Sequence, residues 1–183
     1  MTANRLLPLE PPFDADVAAV LDSYPQRDGY LLSLFRVFAN SPRFLRKGTV
    51  NLLDRDSPLP MRERELVILR VCARRDCEYE WGVHVGAFAE HVGFTPEQVA
   101  ATRLGPAGAA CWTEREQTLL TVVDELCADG TLSDVSREQF QRAWPVDAQL
   151  EILALAGNYH TISFVANVAV LPPEPFAARF PRP

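Results

Sequence analysis

The sequence predicts an all-α fold. Three observations carry it: apolar residues recur at helical spacing along most of the chain, helix-opening and helix-ending residues punctuate it at short intervals, and strand-like alternation is nearly absent. With 183 residues, 48% of them hydrophobic and 23% charged, the chain can bury one core, and its length favours a single domain.

The elements follow in order. Residues 14–24 read as a short amphipathic helix, and residues 30–39 as a second, with apolar side chains at 31, 32, 34, 35, 37 and 38. Ser41 before Pro42 reads as an N-cap with proline at the first helical position, opening a helix towards Leu53. Two prolines within 54–60 mark the best internal boundary. Pro60 then opens a helix to about Arg75, where Arg74 and Arg75 suit the negative end of the helix dipole. Asp76 can cap the next helix, which places Cys77 at its first position and stops at Gly93. Thr95 to Gln98 and Thr113 to Glu116 have capping-box spacing, so helices are expected at 95–102, 113–129, 133–143 and 147–170, with Gly130 ending the second of these. The expectation is about eight helices joined by short turns: a helical segment over 1–59 packed on the same core, a main domain over 60–171, and an extended proline-rich tail over 172–183.

Composition excludes several functions. The net charge of −6 and the absence of any Lys/Arg run argue against a nucleic-acid partner. Residues 1–13 show no continuous apolar stretch, so no signal peptide is expected, and four cysteines without one suggest reduced thiols in a cytoplasmic protein. Those cysteines, at 72, 77, 111 and 127, form no Cys-x-x-Cys pair, and the three histidines lack zinc-ligand spacing, so no metal is expected. Without a glycine-rich phosphate loop, no nucleotide cofactor is expected either. The segment 147–170 is apolar on nearly every face, but Glu151, His160 and Asn167 would be costly in a bilayer. A helix buried by the core and by a neighbouring subunit is the expectation, hence a homo-oligomer and no membrane partner.

Chemistry concentrates in Cys77-Glu78-Tyr79-Glu80-Trp81-Gly82-Val83-His84. Cys77, Glu80 and His84 fall within roughly one third of a helix circumference, so they can line one pocket. A carboxylate beside an imidazole raises its pKa and fixes its tautomer, the arrangement needed for general acid–base chemistry. Each residue also has a plainer role. Cys77 can be a small buried apolar residue, Glu80 a first-turn complement to the dipole, His160 a hydrogen-bonded core histidine, and Glu65 part of a solvated charged turn with Arg62, Glu63 and Arg64.

Glu65 followed by Cys77-x-x-Glu80-x-x-x-His84 resembles the carboxymuconolactone decarboxylase/AhpD-like superfamily, and Gly-Asn-Tyr-His-Thr-Ile-Ser-Phe-Val-Ala-Asn at 157–167 is similar to the helix that closes its pocket. The resemblance covers about 60–171. It implies an AhpD-like helical bundle, homo-oligomers (dimer, trimer or hexamer), catalytic positions at Glu65, Cys77, Glu80 and His84, and substrate-binding positions at Tyr79, Trp81, His160 and Asn167. It implies no cofactor and no metal. In the peroxidase branch a Cys-x-x-Cys pair cycles between dithiol and disulfide, but Glu80 stands here where the second cysteine would be. Oxidation of Cys77 is therefore expected to stop at sulfenic acid or a mixed disulfide. The decarboxylase-like branch implies a lyase that moves protons on a small organic acid or lactone, with His84 as the donor to the developing enolate. A single-cysteine peroxidase and a non-catalytic oligomeric binding protein are the alternatives.

Overall fold

A computed structural model describes residues 5–182. Among them are nine helices: α1 (Ala15–Leu21), α2 (Ser33–Phe38), α3 (Pro42–Lys47), α4 (Met61–Arg74), α5 (Glu78–Phe88), α6 (Pro96–Leu104), α7 (Glu114–Asp129), α8 (Asp134–Ala143) and α9 (Val146–Ala169). The capping residues act as their types dictate. Ser41 accepts from the Phe44 N–H, both capping boxes at Thr95 and Thr113 are complete, and Gly130 ends α7 in the left-handed region.

One expected helix is corrected. Tyr30 does not begin a helix but pairs in a small antiparallel hairpin, β1 (Gln26–Arg27) with β2 (Tyr30–Leu31), and α2 starts only at Ser33. Asp28 and Gly29 turn it with φ of +52° and +79°, the positive pair that a two-residue primed turn requires. The Asp-Gly dipeptide is that turn's signature. Similarly, α3 ends at Lys47 and does not reach Leu53.

Helix α4 is the axis of the bundle, packed by α5, α6, α7 and α9, and every residue from Arg64 to Ala73 is buried. Such a helix must satisfy any charge it carries. Arg70 does so with both oxygens of Asp124 at 2.7 Å and with the Thr102 and Gly105 carbonyls at 3.0 Å. The charged first turn is likewise engaged: Arg62 pairs with Glu116, and Glu63 accepts from Arg115 and the Trp144 indole. Val17 and Leu21 of α1, Leu34 and Phe38 of α2 and Leu45 of α3 belong to the same apolar cluster as α4, α7 and α9, so α1 to α3 share the main core.

Helix α9 meets the length and hydropathy of a membrane span, yet Ile152, Leu155, Tyr159, Ile162 and Ala166 form a buried stripe against the bundle. Its other side exposes Leu150, Leu153, Phe164 and Val168. After α9 the chain folds back over α5. The Ala178 N–H donates to the Gly82 carbonyl at 3.0 Å, and a Cβ at Gly82 or Gly86 would collide with the backbone oxygens of Ala178 or Phe176. Glu174, 4% exposed, anchors this tail by accepting from the Tyr79 and Tyr30 hydroxyls and the Ser33 N–H at 2.5, 2.7 and 2.8 Å.

Candidate active site

The turn from α4 into α5 sets the site. Asp76 occupies the left-handed region at φ +52°, the Cys77 N–H donates to the Cys72 carbonyl at 2.9 Å, and the Asp76 N–H to that of Ala73 at 3.3 Å. These two bonds define a Schellman motif, with Cys72 and Cys77 as its paired outer positions. Cys77 is thus the N-cap of α5, not its first residue, and Asp76 closes the preceding helix instead of capping the next.

From this turn α5 presents Glu80 and His84 inwards, where Glu65 of α4 and Tyr159 of α9 meet them. The His84 Nδ1–H donates to Glu65 Oε2 at 2.8 Å. Nε2 faces Glu80 Oε1 at 3.3 Å and the Tyr159 hydroxyl at 3.0 Å. None of the four is more than 5% exposed. Burial alone pushes the His84 imidazole down, but Glu65 and Glu80 override it and hold the ring up at about 10, so His84 is an imidazolium at neutral pH. Burial, reinforced by Glu80 and Glu65, pushes the Tyr159 phenol well up, and it stays protonated.

Cys77 is fully enclosed beside this cluster. Burial pushes its thiol up to about 11, against the pull of the Glu80 N–H and with the push of the Glu80 carboxylate, while the Ser163 hydroxyl favours the thiolate. The dipole of α5 does not win. Cys72, also enclosed, is raised further by burial and by Cys77 itself. Two buried polar atoms near these groups have no partner among the described residues: Glu80 Oε2 and Nε of Arg64, whose charge is felt at Tyr159.

Glu65, Cys77, Glu80 and His84 are therefore brought together. The other four expected site residues are not. Tyr79 turns to Glu174 and the Leu34 N–H, and the Trp81 indole donates to Thr102 at 2.9 Å while stacking on Phe180. His160 faces Cys127, with Nε2 at 3.2 Å from Sγ, and exposed Asn167 donates to the Arg75 carbonyl. The groove that Trp81 does line, of about 460 Å³, includes Phe94, Val99 and Arg179 but none of Glu65, Cys77, Glu80 and His84. On α9 the residues at the site are Tyr159 and Ser163, one position before His160 and one turn after Tyr159. Their burial is a product of packing, because α9 is apolar on nearly every face and its sequence marks no single inward side. No group of three or more His, Cys, Asp or Glu among the described residues is arranged to hold a metal ion.

The arrangement of these helices is known from other structures. A peroxidase-related protein from Silicibacter sp. TM1040 superposes with a TM-score of 0.77 over 96% of this chain and 95% of that one, at 16% identity. The debrominase Bmp8 does so with 0.77 over 96% and 95%, at 15% identity. A peroxidase-related protein with an alkylhydroperoxidase AhpD core, from Ralstonia eutropha JMP134, gives 0.74 over 94% and 95%, at 17% identity. At these identities the likeness is one of fold. No curated protein matches the sequence. The carboxymuconolactone decarboxylase family model matches residues 44–125, a span that holds Glu65, Cys77, Glu80 and His84. Over that span the chain is similar to the carboxymuconolactone decarboxylase family.

Proposed function

We propose that this protein is a cofactor-independent acid–base enzyme acting on a small organic acid or lactone, with decarboxylation as its reaction. One observation carries the reading: an imidazolium enclosed between two carboxylates, one of which keeps an oxygen without a partner among the described residues. Loss of carbon dioxide leaves an electron pair beside a carbonyl, and a positioned cation can protonate or stabilise it as it develops. His84 Nε2 is that donor, Glu65 holds the ring from the other side, and the Glu80 carboxylate passes a proton taken up from solvent back to the ring. Arg64 supplies the positive charge that an acidic substrate needs beside two carboxylates. The residues are enclosed, so substrate entry requires the surrounding helices or the tail to open.

The test is carbon dioxide release from a panel of small carboxylated lactones and 3-oxo acids. Turnover that disappears in His84→Gln and Glu80→Gln, with Arg64→Gln raising KM more than it lowers kcat, supports the reading. A wild-type protein inert across the panel, but consuming hydroperoxide with dithiothreitol, overturns it in favour of thiol chemistry. That second reading is favoured by Cys77 beside the proton centre and by the peroxidase-related proteins and the debrominase that share the fold. A cysteine-to-alanine variant of the debrominase is known in complex with 2,3,4-tribromopyrrole. The exposed apolar stripe of α9 supports a further part of the proposal, that the protein works as a homo-oligomer, and its four free thiols suit the cytoplasm.

A further inference from the structure

We infer that Cys72 and Cys77 are a dithiol pair that closes to an internal disulfide when a hydroperoxide oxidises the protein. The Schellman motif carries the inference. In that motif the side chains of the two outer positions meet, and here both are cysteines, both are fully enclosed, and both lie at the Ser163 hydroxyl. The backbone bond between them also bounds their separation. A Cα to carbonyl-oxygen span of about 2.4 Å, the 2.9 Å hydrogen bond and an N–Cα bond of about 1.5 Å together cap the Cα–Cα distance at about 6.8 Å, the upper edge of the range a disulfide bridges. Glu80 stands where a second thiol on the same helix would be, but the turn brings one in from the preceding helix.

The two thiols are not equivalent. The Ser163 hydroxyl serves both, but the Glu80 N–H is a donor to a Cys77 thiolate alone, so Cys77 is the one oxidised first. Glu80, 5% exposed and with Oε2 unpartnered, takes its proton. The thiolate attacks the distal oxygen of the hydroperoxide, the O–O bond breaks, and the alkoxide leaves as the alcohol with that proton. Cys72 then attacks the sulfur of the Cys77 sulfenic acid, the S–O bond breaks, and hydroxide leaves with the Cys72 proton as water. Two thiols and one hydroperoxide become a disulfide, an alcohol and water. The product is uncharged, which suits an enclosed apolar position beside two carboxylates.

Trypsin gives a direct readout, because Arg74 and Arg75 separate the two cysteines into peptides 71–74 and 76–103. The full chain carrying Cys111→Ser and Cys127→Ser is treated with cumene hydroperoxide, blocked with iodoacetamide and digested without reduction. The two peptides should run as one linked species, two mass units below their sum, and separate on reduction. In an added Cys72→Ser variant the link should vanish and the dimedone adduct of Cys77 should rise about tenfold. Wild-type chain run in parallel covers a variant that fails to fold. Sulfenic or sulfinic acid at Cys77 with no linked species, or linkage of Cys77 to Cys111 or Cys127 in the wild type, would overturn the inference. The readout is a mass and not a turnover, so it stands or falls separately from the decarboxylase reading.

Discussion

Glu65→Gln tests the proton centre with the least change of shape. The amide can still meet His84 Nδ1, but the charge at 2.8 Å is gone and only Glu80, at 3.3 Å, remains to hold the ring charged. Removing one partner of a buried pair costs about 3–5 kcal/mol. The same size follows from the His84 shift, from 6.5 to about 10, which corresponds to a ceiling on the order of 5 kcal/mol. At about 2–4 °C per kcal/mol for a chain of this size, Tm should fall by roughly 6–20 °C. The pH dependence has a definite sign. A histidine raised on folding contributes its full stability below its unfolded value near 6.5 and loses it as pH rises through about 10. Wild-type Tm should therefore decline from pH 6.5 to 10, and the variant should complete its smaller decline earlier. The gap between them should be full at pH 6 and close towards pH 10. Melts followed by circular dichroism across that range, with His84 ring titration by NMR, supply the measurement. Parallel melting curves at all pH values, or a wild-type His84 titrating near 6.5, would refute the account.

Three further outcomes are expected. Glu174→Ala leaves the Tyr79 and Tyr30 hydroxyls and the Ser33 N–H without their acceptor, and should cost about 2–4 kcal/mol and speed tryptic cleavage after Arg179, read by urea melts and limited proteolysis. Gly82→Ala puts a Cβ against the Ala178 oxygen, so the tail should lift from α5 and hydrogen exchange at Ala178 should rise, whereas Gly157→Ala, with open space around it, should leave the tail protected. Phe164→Asp on the exposed stripe of α9 should convert the proposed oligomer to a 20 kDa monomer in sedimentation equilibrium; a wild-type monomer at micromolar concentration would remove the proposal.

The sequence by itself determined most of the helices, α4 to α9 above all, because the forces that start and stop them are local. A capping hydroxyl reaches an N–H three residues away, and Gly130 needs no distant partner to adopt a positive φ. The hairpin at Asp28-Gly29 was equally local and is legible in that dipeptide. The stripe of Cys77, Glu80 and His84 was legible too, since helical spacing alone puts them on one side of α5. Tertiary structure decided the rest. Whether Glu65 was a solvated charge or the partner of His84 depended on α4 lying at the centre of the bundle, a matter of packing that no spacing encodes. Which residues of α9 reach the site depended on the rotation of a helix apolar nearly all round, so Tyr159 and Ser163 arrived where His160 and Asn167 were expected. The thiol of Cys77 stayed protonated because burial outweighed the helix dipole, and burial is set by every neighbour at once.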